Sequence, residues 1–418
     1  MGSNFYAIQF QGLNISAFRF VTILLPLLCV IIIINHFMKK NCCKKLRQRH
    51  FTDLFYTKYI DFLLIWCIYA LCSILWAASL YYWFISTYFL ILGVICALIF
   101  NLSIKNIKHI LHCVYIVWFI CVIHACIGWL EILSGKYYFL YDVKDIIIYK
   151  TNMMPISSFG NTNDFATCML IGIFISLGLM SLYQSKFLRL FMLLNIMSMF
   201  TLVVFSSSRA NIIGFLLGMS FLRLMSSNRS FLKNFFTLCL IYVVAVVISA
   251  VLYPTLLTNI RVFCEALISS ASEGTSINIR KNLILNGIYF LKETYFCGVG
   301  AGNSAYYMLT RTIFPTWGII NMHNWWMEVL VDYGVIIFWG YISFYIRMII
   351  ENIKIYRTYY TKDKSYIYGI AMSFVGFLIA YSFASISSSS NMSNEFVWII
   401  FAIILAFLNV CRKQKFFE

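Results

Sequence analysis

Long apolar runs separated by short polar breaks dominate the chain. At the ~20 residues needed to cross a bilayer as a helix, the candidate spans are 17–37, 60–82, 84–103, 110–132, 164–183, 188–206, 211–225, 234–253, 326–348, 366–386 and 395–411. The run 211–225 is short and is expected to extend through Ser226 or to begin nearer Arg209. These runs are far longer than the ~10 residues of a barrel strand, and hydrocarbon requires each segment to satisfy its own backbone. The pattern therefore predicts an all-α polytopic integral membrane protein with about eleven transmembrane helices.

Composition agrees. Hydrophobic residues make up 62% of the 418 positions, charged residues 11%, and there are only 4 prolines. A soluble globule is roughly half apolar and a quarter charged. Residues 1–16 show neither a basic n-region nor a small-residue cleavage site, so no cleavable leader is expected. No repeat of 20–50 residues and no inverted pair of Gly/Pro-broken helices is visible. The chain reads as one transmembrane domain, 1–418, with two long loops at 133–163 and 254–325.

The net charge of +17 comes from topology. Lys39, Lys40, Lys44, Lys45, Arg47, Arg49, Lys58, Lys105, Lys108, Lys186, Arg189, Arg223, Arg229 and Lys233 fall in alternate loops, with Arg347, Lys354, Arg357, Arg412 and Lys413 on the same side. The positive-inside rule makes that side cytoplasmic and puts both long loops outside. The Tyr and Phe residues lie mainly in or beside spans, so nothing suggests a nucleic-acid partner. The bilayer itself is the first partner.

The loop 254–325 is the long segment too polar for a bilayer that also gathers Arg261, Glu265, Arg280, Glu293, Arg311 and His323. Three spans start at this outer face after polar sequence: Asn161-Thr162-Asn163-Asp164, Ser206-Ser207-Ser208-Arg209 and His323-Asn324. Each presents a helix N-terminus with unpaired N–H groups and partial positive charge, so together they suit an anion. Arg209 adds a full charge; an interfacial arginine reaching for headgroups is its plainer reading. Arg280 lies in Ile277–Leu291, whose mixture of charge and clustered apolar residues suits a helix on the membrane surface or against the bundle. His323 is the histidine on this side, and an imidazole can accept a proton from a hydroxyl nucleophile or merely cap a helix. Cys297-Gly298-Val299-Gly300-Ala301-Gly302-Asn303 lacks the GxGxxG spacing and reads as a tight turn with close backbone approach. No metal-ligand spacing is convincing, and no cofactor is expected. Cys264 and Cys297 share the oxidising side, where a pair is conceivable.

Asn161-Thr162-Asn163-Asp164-Phe165-Ala166, the Ser207-Ser208-Arg209 triplet, Arg280 followed by the glycine run to Asn303, and His323-Asn324 with Asp332 and Gly334 occur in that order on one face. In this the chain resembles the O-antigen ligase and O-antigen polymerase superfamily over about 155–340. It departs at Thr162, where members often carry proline, at Tyr295, also often proline, and at Ile284, often tryptophan. The resemblance implies a GT-C-like membrane glycosyltransferase of a bacterial cytoplasmic (inner) membrane, its site facing the periplasm or cell exterior. The implied reaction is inverting transfer from an undecaprenyl-diphosphate-linked glycan, without metal or nucleotide sugar. It implies His323, Arg280 and Arg209 as catalytic residues. Asn163, Ser208, Asn324, Asn303 and Arg311 are then candidates for substrate contact, and Glu328 and Asp332 for orienting His323 or meeting sugar. The acceptor is a second lipid-linked unit for a polymerase of O-antigen or capsule, the favoured reading, or lipid A-core for a ligase. A chain-length regulator is a possible partner of a polymerase. A lipid-linked glycan flippase or transporter is the competing class, disfavoured because few ionisable residues lie deep in the spans.

Overall fold

The structure is a computed structural model describing residues 8–10, 13–15, 58–139, 143–159, 161–225, 276–359, 365–387 and 391–413. The expected spans 17–37 and 234–253, with Arg261, Cys264 and Glu265, lie outside the described residues. A two-stranded antiparallel hairpin, β1 (Ile8–Phe10) with β2 (Leu13–Ile15), sets Gln9 opposite Asn14. The rest is helical. The helices are α1 (Lys58–Cys72), α2 (Leu80–Ser103), α3 (Ile107–Ser134), α4 (Val143–Thr151), α5 (Thr162–Met180), α6 (Lys186–Phe205), α7 (Arg209–Met225), α8 (Ser276–Glu293), α9 (Asn303–Thr310), α10 (Trp325–Tyr359), α11 (Ser365–Ala384) and α12 (Glu395–Lys413).

Among the described residues, 7 helices are long and apolar enough to cross a membrane: α2, α3, α5, α6, α10, α11 and α12. A shorter apolar helix covers Tyr59–Leu75. The protein is a polytopic membrane protein. α7, at 17 residues, begins at Arg209 as its composition suggests. Polar residues set the ends: Asn106 accepts the His109 N–H at 3.0 Å to start α3, and Gly135, at φ 62, ends it.

α5 is buried on every side from Asp164 to Leu179, save Leu177, and α11 packs along both α5 and α7. A helix apolar all round belongs in the middle of a bundle. Close approach is made by small residues, as lipid-embedded helices require. A Cβ on Gly369 would lie 2.5 Å from the Gly178 carbonyl oxygen, and one on Gly218 would lie 2.7 Å from the Gly376 oxygen. α3 and α6 lie outside this centre and turn Ile116, Phe119, Phe187, Leu194 and Met197 outward.

Two expected spans differ from observation. The run 60–82 divides: α1 stops at Cys72, a single 3-10 turn covers Ser73–Leu75, and α2 begins at Leu80. The span 326–348 extends to Tyr359 and is broken at Gly334, whose φ of 76 and ψ of 177 are not helical. Both interruptions meet the glycine run. Val299 and Gly300 donate their N–H groups to the Val331 and Asp332 carbonyls at 2.9 and 3.0 Å, and Val335 N–H donates to the Phe296 carbonyl at 3.0 Å. From the other side, Trp76 Nε1 donates to the Gly298 carbonyl at 3.1 Å and Ala301 N–H to Ser73 Oγ at 3.1 Å. A Cβ on Gly298 would lie 2.5 Å from Gly334 N and 2.7 Å from the Asp332 oxygen. Close backbone approach is thus what these glycines allow, as the sequence indicated.

Within 254–325 the described residues form α8 and α9. α8 and α9 build a small apolar core of their own from Leu283, Phe290, Val299, Tyr307, Met308, Met322 and Val331. Asn286, fully buried, holds the turn beyond α9 to α8: its Oδ1 accepts Ile313 and Phe314 N–H at 2.9 and 3.0 Å, and its Nδ2 donates to the Phe314 carbonyl at 2.8 Å. α8 therefore packs against the bundle.

Candidate functional site

The starts of α5 and α7 are joined side by side. Asn161 caps α5, its Oδ1 accepting Asn163 N–H at 2.7 Å. The Asn163 side-chain oxygen accepts the Ser208 hydroxyl at 2.6 Å. Asn211 Nδ2 donates to Ser208 Oγ at 2.8 Å and to the Asn163 carbonyl at 3.2 Å, and Thr167 Oγ1 donates to Asn211 Oδ1 at 3.1 Å. Ser208 and Asn211 are buried. The Ser208 proton is therefore spent within this joint, and Ser208 and Asn163 here hold two helices together.

Ser207 takes the exposed place. It adopts φ 55 and stands in the open two residues before Arg209, also exposed, which begins the first turn of α7. Nothing in three consecutive serines distinguishes them in sequence; helix phase does so. Ser206 folds back to the Val203 carbonyl at 2.6 Å, Ser208 turns in, and Ser207 is left outside.

Arg280, on the second turn of α8, is half-buried. Burial, and then the positive charge of Arg209, hold its guanidinium below the ordinary arginine value. Two cations from distant parts of the chain thus act on one another at one end of the bundle. Gly287 lies two turns along α8 from Arg280 on the same face. A Cβ there would lie 2.7 Å from Met322 Cε, so the face bearing Arg280 is turned to the residues that precede α10.

His323 follows Met322 directly. It is half-buried and has φ 46, a left-handed conformation uncommon for a residue with a side chain. Asn324 behind it caps α10, its Oδ1 accepting Trp326 and Met327 N–H at 3.2 and 3.4 Å. The Trp325 N–H donates to the Ser385 carbonyl at 3.0 Å, which ties this helix start to the end of α11. Glu328 is half-buried in the first turn of α10.

The remaining candidates serve the glycine crossing or stand apart. Asn303 is fully buried, its Oδ1 accepting Ser79 N–H at 2.7 Å and its Nδ2 donating to the Ala301 carbonyl at 3.0 Å. Asp332 is buried and accepts Ser304 N–H at 2.8 Å, which caps α9. Arg311 is exposed, its guanidinium 4.7 Å from the centre of the Tyr307 ring. One polar residue was not singled out from sequence: Asn394, before α12, donates to Asp164 Oδ1 at 3.1 Å and to Asn391 Oδ1 at 3.3 Å.

Residues 194–342 match the family model described as O-antigen ligase. Over 359 residues the chain is 26% identical to the teichuronic acid biosynthesis protein TuaE of Bacillus subtilis (strain 168), covering 85% of this chain and 72% of the relative. The family match spans Arg209, Arg280 and His323 together, and with the TuaE similarity it supports the likeness to the O-antigen ligase and polymerase superfamily.

Proposed function

We propose that the protein polymerises undecaprenyl-diphosphate-linked oligosaccharide units on the extracytoplasmic face of the bacterial cytoplasmic membrane. Similarity to the O-antigen ligase family model and to TuaE supports the coarser reading, a membrane polysaccharide polymerase or ligase in surface-glycan biosynthesis. The relative's name, which concerns biosynthesis of teichuronic acid, favours making a glycan over attaching one. The reading places the loop 254–325 as the embedded catalytic segment and 133–163 as a second loop on the same side.

One observation carries the chemistry: Arg209 and Arg280 act on each other as like charges, with Arg280 half-buried. Cations placed so that one disfavours the charge of the other make a favourable seat for an anion, and a diphosphate is an anion of suitable charge. In the transfer, an acceptor hydroxyl oxygen attacks the anomeric carbon of the donor sugar as the bond from that carbon to the diphosphate oxygen breaks, with inversion. The electron pair leaves with the lipid diphosphate, whose growing charge Arg209, Arg280 and the α7 N-terminus offset. His323 accepts the hydroxyl proton. Ser207 adds an exposed hydroxyl two residues before Arg209, and Glu328, in the first turn of α10 after His323, is the carboxylate set to meet sugar. A chain-length regulator would act on this polymerase from outside the chain.

The matched model's description, O-antigen ligase, favours a second reading in which the glycan is transferred to lipid A-core. Surface-glycan banding separates the two in a host lacking this gene, complemented by wild type, Arg280→Ala or His323→Ala. A polymerase null leaves acceptors bearing a single repeat unit, and the variants match it. Accumulation of lipid-linked polymer that never reaches its acceptor would instead identify a ligase. Unprocessed lipid-linked units confined to the cytoplasmic leaflet would identify a flippase.

A further inference from the structure

We infer that Tyr295–Gly302, within a loop whose sequence places it outside the membrane, re-enters the bilayer and presents Tyr295 and Phe296 to the acyl chains of the leaflet on the side of Arg209 and His323. The first support is depth. Gly334, which meets Cys297 and Gly298, stands about 13 Å down α10 from Trp325 and about 20 Å from Arg347 at the other side, at roughly 1.5 Å per residue. A hydrocarbon layer is about 30 Å thick, so the crossing lies inside it by either measure. On α1, Tyr69, about 12 Å along the helix from the exposed Asp61, donates to the Cys297 carbonyl, and Trp76, beyond the helix end, donates to that of Gly298.

The second support is backbone accounting. Non-helical chain at membrane depth survives only where protein satisfies its polar groups. Here Phe296, Cys297 and Gly298 carbonyls accept from Val335 N–H, Tyr69 Oη and Trp76 Nε1, while Cys297, Val299, Gly300 and Ala301 N–H groups donate to the Thr294, Val331 and Asp332 carbonyls and to Ser73 Oγ. The break in α10 frees the Val331 and Asp332 carbonyls and the Val335 N–H that an intact helix would have consumed, while α1 and the turn after it add the side chains of Tyr69, Ser73 and Trp76. The third support is what remains outside. Tyr295 is 88% exposed and Phe296 52%, and the residue hydrogen-bonded to Phe296 is followed by Ile336, 82% exposed. Ile68 and Leu71, beside Tyr69, are exposed on the other flank. A continuous apolar surface from α1 across Tyr295–Phe296 to α10 fits lipid.

The inference rests on topology and packing, and it stands or falls separately from the proposed chemistry. The test uses the full chain in nanodiscs of phosphatidylethanolamine and phosphatidylglycerol. A photo-crosslinking phenylalanine analogue is placed at Tyr295, Ile336 or Thr312. Acyl-chain adducts should form at 295 and 336 in comparable yield and at least about ten-fold less at 312, an exposed residue of the turn beyond α9. Adduct yield at 295 equal to that at 312 overturns the inference. The unmodified protein gives an independent reading with a water-soluble tyrosine-nitrating reagent. Tyr295 should react several-fold more slowly than Tyr138, although Tyr138 is only 60% exposed; equal or faster nitration of Tyr295 also overturns it.

Discussion

Ser208 Oγ donates to Asn163 Oδ1 at 2.6 Å while accepting from Asn211 Nδ2 at 2.8 Å, so one buried hydroxyl closes the joint between α5 and α7. Removing it leaves the Asn211 donor and the Asn163 acceptor short of a partner in a buried place. Ser208→Ala should destabilise the protein by about 1–3 kcal/mol, read as a fall in thermal midpoint in detergent. Ser207→Gly removes the exposed hydroxyl and keeps a left-handed conformation that glycine adopts freely. Its midpoint should stay near wild type while glycan output falls. The reverse order of effects would mean that Ser208 is the ligand-facing residue.

The crossing of Gly298 and Gly334 gives a sharper contrast. Gly298→Ala puts a Cβ at φ 90 within 2.5–2.7 Å of backbone atoms on α10, and neither chain can move without giving up the bonds that hold the break. Left-handed backbone alone costs about 1–2 kcal/mol for a residue with a side chain, and the clash adds to it. Gly318, at φ 81 with nothing within 4 Å of its added Cβ, isolates the conformational cost. Gly318→Ala should express and fold with a modest loss of stability. Gly298→Ala should yield little monodisperse protein by size-exclusion chromatography.

The same crossing shows why part of this fold was hidden in the sequence. Val331-Asp332-Tyr333-Gly334-Val335-Ile336-Ile337 reads as an unbroken span, and Ser73-Ile74-Leu75-Trp76-Ala77-Ala78 reads as the middle of one. Each break depends on a partner segment more than thirty or two hundred residues away, which periodicity cannot register. Spans such as α5 and α12 were legible because lipid demands an apolar run wherever a helix crosses. Arg209, Arg280 and His323 stood out because charge is scarce on their side of the membrane. Asn303 and Asp332 were named through the motif resemblance, yet they serve backbone caps, and only their burial and bonds reveal this.

The like-charged arginines predict a ligand effect that does not need turnover. Burial and Arg209 both disfavour the charged state of Arg280, so a bound polyanion should relieve the site and stabilise the fold. Inorganic pyrophosphate at 100 times its dissociation constant would contribute about 2.7 kcal/mol, seen as a rise in thermal midpoint at fixed ionic strength. Arg280→Gln and Arg209→Gln should each abolish most of that rise while leaving the unliganded midpoint equal or slightly higher. A midpoint that follows ionic strength alone, the same for pyrophosphate and for chloride, would remove the diphosphate site from the proposal.

His323 permits backbone strain and chemistry to be separated. At φ 46 an alanine retains the unfavourable backbone and loses the imidazole, whereas asparagine tolerates the left-handed region and loses only the base. If the histidine merely caps or braces α10, His323→Asn should be active and as stable as wild type, because Asn324 already supplies the cap. If the imidazole takes the acceptor proton, His323→Asn should keep the wild-type midpoint and still lose about 100-fold or more of its glycan output, the size expected for general-base catalysis. Pyrophosphate stabilisation should survive in that variant, since the arginines are untouched. Loss of product with retained anion binding would therefore place His323 at the acceptor, apart from the diphosphate.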